Sequence, residues 1–100
     1  MFNYNKTKEV FKDKLFHERY DEVYKIFLVH LQNGNDAKEL LNCLKVASLE
    51  IRLNQTIDSI EDEEHLVAKI FGYLLENNYL FKDDEEYTLS YIEDYRKMGN

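Results

Sequence analysis

Apolar residues recur along this chain at helical intervals rather than in alternation. The clearest set is Tyr20, Val23, Tyr24, Phe27, Leu28 and Leu31, which share one arc at 3.6 residues per turn and predict a helix over about 19–33. Ahead of it, about 6–17 offers only a thin stripe of Phe11 and Leu15, with Val10 and Phe16 off it. Asn33-Gly34-Asn35 stops the second segment, Gly34 being suited to a left-handed position just past a helix end. Asn-Gly also suits a hairpin turn, but both flanks have helical period, so the cap reading prevails.

Asn35 or Asp36 can cap a third helix reaching about Asn54, with Glu39 placed to complete a capping box. Its main stripe is Leu40, Leu41, Leu44, Ala47 and Ile51, and Val46, Leu49 and Leu53 lie on the opposite side. A helix apolar on two sides is sandwiched between neighbours or offers one side to a partner. Thr56–Ser59 is a short connection, and Ser59 with Asp62 resembles a capping box. The fourth segment, about 60–77, has the broadest apolar arc, from Leu66 to Leu75, and is expected at the centre of the fold. The fifth, about 84–98, gathers Tyr87, Tyr91, Ile92, Tyr95 and Met98 on one arc, with Arg96 and Lys97 in the last turn and Gly99 as its stop.

These segments predict an all-α fold, a compact bundle of four to five antiparallel helices with its centre in the second, third and fourth. One rival is a hairpin over 79–90, the wing of a winged-helix domain, since Tyr87, Leu89 and Tyr91 alternate with Thr88 and Ser90. The alternation fails after Ser90 while the helical arc runs on to Met98. One hundred residues point to a single domain over 1–100, because a chain of this length buries only roughly 65% of its unfolded surface. The absence of proline fits long helices joined by short polar turns.

Charge changes the picture most. Residues 1–50 carry eight Lys/Arg and eight Asp/Glu, whereas 51–100 carry five against twelve, so the formal charge of −7 lies wholly in the second half. It is concentrated in two runs of four carboxylates, Glu61-Asp62-Glu63-Glu64 and Asp83-Asp84-Glu85-Glu86. Each run opens a helix, where carboxylates complement the dipole by about 0.3–1 kcal/mol apiece. Four adjacent like charges also repel one another, so part of the run is expected to serve a basic partner. Tyr87, Tyr91 and Tyr95 beside the second run could supply the buried rings of such an interface.

Other chemistry is thin. Asp62-x-x-His65 is the only approach to a helical di-metal motif; Asp13 with His17, and Glu61, His65 and Lys69, read as ion-pair columns, and His30 beside Ile26 as a packed edge residue. Cys43, the one cysteine, forms no internal disulfide and has no neighbouring base to activate it. No phosphate loop, nucleophile elbow, zinc spacing or calcium loop is present. Neither an enzyme, a metal nor a cofactor is expected. The Lys6-Lys8-Lys12-Lys14 cluster with Phe2, Tyr4 and Phe11 is diluted by Glu9, Asp13 and Glu18 and can pair with the acidic half, so direct nucleic-acid binding is not expected. The N-terminus lacks an apolar leader and the longest apolar run is Ile26–Val29, which predicts a soluble cytoplasmic protein with no membrane association.

The expected function is therefore a protein-binding inhibitor that occludes a basic or nucleic-acid-handling partner. In size and charge, though by no motif, it is similar to immunity proteins, antitoxins and phage-encoded anti-defence inhibitors. The alternatives are an adaptor module that self-assembles, as a homodimer through Val46, Leu49 and Leu53, and a winged-helix DNA-binding regulator.

Overall fold

A computed structural model describes residues 3–54, 60–80 and 85–98, and within these not the side chains of 52–54, 60, 61, 85, 88, 92, 95, 96 and 98. The chain is all-α: α1 (Tyr4–Phe16), α2 (Tyr20–Gln32), α3 (Ala37–Asn54), α4 (Ile60–Glu76) and α5 (Glu85–Met98). Packing divides it into two units, Met1–Ser59 and Ile60–Asn100.

In the first unit, α1 starts where the Asn3 side chain accepts the Lys6 amide at 3.0 Å. Its buried stripe is Thr7, Phe11 and Leu15, one residue every turn. That stripe lies on α3, and among the described residues the α1–α3 contact is the most extensive between two helices. The two run in the same direction, since Tyr4 meets Asn42 and Cys43 whereas Lys8 and Lys12 meet Glu50. Helix α2 adds Val23, Phe27 and Leu31. Helix α3 buries an arc wide enough for both neighbours: Leu40, Leu44, Ala47 and Ile51 along its middle, Leu41 and Ser48 on one side and Cys43 on the other. Each fully buried aromatic such as Phe11 or Phe27 contributes about 2–3 kcal/mol of apolar transfer.

Three helix ends close with the same pair of hydrogen bonds, a six-residue bond enclosing a tighter one. At the end of α1, Arg19 N–H donates to the Lys14 carbonyl (2.9 Å) and Glu18 N–H to Leu15 (3.1 Å). At the end of α2, Asn35 donates to His30 (3.2 Å) and Gly34 to Leu31 (3.1 Å). At the end of α4, Tyr79 donates to Leu74 (2.9 Å) and Asn78 to Leu75 (3.4 Å). The motif requires a left-handed residue, and Glu18 (φ 58°), Gly34 (φ 92°) and Asn78 (φ 62°) supply it. Only Gly34 does so without the steric cost of about 1 kcal/mol that a side chain incurs there. Asp36, rather than Asn35, caps α3 by accepting the Glu39 amide at 3.0 Å, while Asn35 turns back to donate to the His30 carbonyl at 2.9 Å.

In the second unit, α4 buries Leu66, Val67, Ile70, Phe71 and Leu74 and packs against α5. Phe71 and Tyr91 meet edge to face at 5.3 Å between ring centres, a favoured aromatic geometry. Beyond α4, Tyr79 stacks on Tyr73 at 6.3 Å, the apolar contact that commonly accompanies this type of helix end.

The helix boundaries follow the sequence pattern to within about two residues. Packing groups α3 with α1 and α2 in the first unit and α4 with α5 in the second. Residues 85–90 are helical and no strand occurs among the described residues, which removes the hairpin there. The expected Ser59 cap and Gly99 stop lie outside the described residues.

Two glycine substitutions are expected to act with opposite sign. Among the described residues nothing lies within 4 Å of a Cβ built on Gly34 or on Gly72, so backbone conformation decides. Gly34→Ala forces alanine to a φ of 92° and should destabilise by about 1 kcal/mol. Gly72→Ala, inside α4, should stabilise by about 1 kcal/mol. Urea midpoints of the two variants check both signs.

Candidate functional site

The two acidic runs sit at helix beginnings, as the dipole argument requires: α4 starts at Ile60 and α5 at Glu85. Asp62 is exposed, Glu64 half-buried and Glu86 exposed. Glu63 is not part of that surface, being only 2% exposed. The reason is register: position 63 falls on the arc of Val67, Ile70 and Leu74, which is the buried face of α4. The side chains of Glu61 and Glu85, and Asp83 and Asp84 entirely, lie outside the described residues.

The tyrosines divide similarly. Tyr91, expected at an interface, is 1% exposed because its ring fills the unit's own α4–α5 contact against Phe71. Tyr87 is half-buried, 6.4 Å from Tyr91, and the Tyr95 side chain lies outside the described residues. Three apolar side chains of this unit stand in solvent: Leu89 at 60% exposure, Leu75 at 52%, although the sequence pattern placed it on the apolar arc of α4, and Tyr79 at 38%. Leu89 could have been found, since two residues from both Tyr87 and Tyr91 puts it on the far side of α5 from their arc.

Two of the three side chains of the alternative apolar face on α3 are described. Leu49 is 42% exposed and Val46 half-buried, while the Leu53 side chain lies outside the described residues.

Among the described residues, Lys8, Lys12 and Lys14 of the basic cluster pair inside their own unit. Lys8 Nζ reaches Glu50 at 2.9 Å and Lys12 reaches the same carboxylate at 3.4 Å and Glu9 at 3.5 Å. Lys14 and Arg19 share Glu22, at 3.5 and 3.4 Å. The hydrogen bond from Lys8 holds the Glu50 carboxyl below the usual carboxylate range, and the same bond raises Lys8. Desolvation pushes Glu22 upward, but the Arg19 hydrogen bond and the Lys14 charge outweigh it and leave that carboxyl lowered. Phe2, the first aromatic of the cluster, lies outside the described residues.

Cys43 has no solvent exposure and its thiol is pushed up to about 11 by burial, its sulfur 3.6 Å from the Tyr4 carbonyl oxygen. A protonated, inaccessible thiol is a packing group, not a nucleophile. His17 lies 3.6 Å from Asp13 and 4.9 Å, edge-on, from the exposed Phe16 ring. His30 is half-buried with its Nδ1 3.5 Å from Asn35 Nδ2, and His65 is exposed. Among the described residues no three His, Cys, Asp or Glu side chains converge as metal ligands, and no helix is long and apolar enough to cross a membrane.

The described candidate residues of the second unit are therefore Asp62, Glu64, Glu86 and Tyr87, with Leu75, Tyr79 and Leu89 exposed on the same unit. No protein-family model, curated protein or solved structure matches the chain.

Glu50 provides a test of the internal pairing. A carboxyl lowered in the folded state contributes stability that is present above its unfolded pKa, near 4.5, and is lost as pH falls through the folded value. Glu50→Gln should therefore lower the urea midpoint at neutral pH, and the difference from the parent chain should disappear in acid, where Glu50 is protonated. A difference that persists unchanged into acid would show that the carboxylate charge is not what the lysines recognise.

Proposed function

We propose that the chain is a small, non-enzymatic protein-binding module whose second unit neutralises a basic, nucleic-acid-handling partner by occlusion. The observation that carries this reading is the partition of charge. Residues 1–59 hold nine Lys/Arg and nine Asp/Glu, and 60–100 hold four against eleven, so the boundary between the units is also the boundary between a neutral body and one of −7. Among the described residues, Lys8, Lys12, Lys14 and Arg19 of the first unit pair with Glu50 and Glu22 of the same unit.

Such a surface speeds encounter with a basic partner and repels phosphate backbones. Exposed Leu75, Tyr79 and Leu89 supply apolar area on the same unit, and Tyr87 a half-buried ring. The mode of action is that of immunity proteins, antitoxins and phage-encoded anti-defence inhibitors, acting in the cytoplasm without a cofactor. A second reading, a self-assembling adaptor, is favoured by Leu49 alone, which stands exposed on α3 beside Val46. The DNA-binding regulator loses its support with the hairpin.

Affinity capture of the full chain from host lysate at low and high salt separates the two readings. The inhibitor reading predicts a basic protein retained at low salt and lost at high salt, since exposed charges are screened beyond a Debye length of about 8 Å at physiological ionic strength. Capture of this chain alone at both salts, abolished by Leu49→Asp, would overturn it in favour of self-assembly.

A further inference from the structure

Between α2 and α3 lies the sequence Asn33-Gly34, and its chemistry is not used by the proposed function. Glycine after asparagine leaves the following backbone nitrogen uncrowded, so that nitrogen can attack the asparagine side-chain carbonyl carbon. Asn33 and Gly34 are both exposed, and the Asn33 carboxamide makes no hydrogen bond among the described residues. Nothing lies within 4 Å of the Gly34 Cβ position, so water and base have access.

The folded turn nevertheless opposes the reaction. Asn33 has ψ 4°, which places the Gly34 nitrogen away from its side chain, and ring closure needs a large rotation about the Asn33 Cα–C bond. That rotation breaks the Gly34 N–H bond to the Leu31 carbonyl and the Asn35 N–H bond to the His30 carbonyl. The Asn35 side chain, donating to the same His30 oxygen at 2.9 Å, is a third restraint.

We propose that Asn33 is a deamidation site gated by the closed turn at the end of α2. When the turn opens, the Gly34 amide nitrogen, its proton removed by base, bonds to the Asn33 Cγ. The Cγ–Nδ2 bond breaks and ammonia leaves with a proton from solvent, giving a five-membered succinimide. Water then adds to either ring carbonyl and opens it to aspartate or isoaspartate, so the net change is one water consumed and one ammonia released. The product places an anion at the C-terminal end of α2, where the dipole disfavours it. Isoaspartate also lengthens the main chain by one carbon, so modification unlatches the α2–α3 turn.

The test follows Asn33 in the full chain, at physiological temperature and mildly alkaline pH, by mass spectrometry of the tryptic peptide 26–38, with the synthetic 26–38 peptide as the open reference. Expected are conversion at Asn33 ahead of Asn35, a slower rate in the folded chain than in the peptide, and a rate about fivefold faster in folded Asn35→Ala, the factor expected for loss of one hydrogen bond. The Asn35→Ala peptide should match the parent peptide. Equal rates in folded chain and peptide would overturn the gate. Absence of conversion at Asn33 in both the folded chain and the Asn35→Ala variant would overturn the site.

Discussion

The packing of α1 on α3 is the contact on which the first unit depends. Helix α1 is a poor helix to bury, since its core stripe is only Thr7, Phe11 and Leu15, and nothing in that stripe would hold it alone. What makes the contact work is α3, whose buried arc extends from Cys43 on one side to Leu41 and Ser48 on the other and so offers separate ground to α1 and α2. Ion pairs are secondary at such half-buried positions within reach of water. They do fix the register, because Lys8 and Lys12 converge on one carboxylate, Glu50, more than two turns along α3 from the Tyr4 end of the contact.

Short turns let that contact form in so small a unit. With no proline in the chain, helices must be stopped by hydrogen bonding rather than by steric exclusion. The three ends that share one closing motif use a glycine, an asparagine and a glutamate at the left-handed position, and the glutamate is the least suited of the three. Glu18 sits there because the α1–α2 link is only three residues long, and the geometry of the link outweighs the preference of the residue.

Much of this was legible in the sequence, for a physical reason: helical periodicity and caps are local. The arc of Val23, Phe27 and Leu31, the left-handed Gly34 and the limits of α3 follow from near neighbours. The closing motif at Glu18 was not legible, because glutamate does not advertise a positive φ. The site was less legible than the fold. A run of four carboxylates looks uniform in sequence, yet a helix turns each by 100°, so Glu63 goes to the buried face while Asp62 stays in solvent. Tyr91 misleads in the same way, since a ring suited to an interface suits a helix–helix contact equally well. The Glu50 partner of Lys8 and Lys12 was not legible, because that pairing is set by the α1–α3 register, which only tertiary structure fixes.

Function enters through the division of charge. The first unit is neutral in formal charge, and the second carries an excess of seven carboxylates and two exposed leucines. The most direct measurement uses two exposed aspartates in equivalent local settings, Asp21 near the start of α2 and Asp62 near the start of α4. Asp21→Lys and Asp62→Lys change net charge equally and incur a similar dipole cost, but in different units. With the partner captured at low salt, the account predicts that Asp62→Lys slows association and weakens binding while Asp21→Lys leaves both near the parent values. Equal effects of the two would contradict it, since binding would then respond to total charge and not to the second unit's surface.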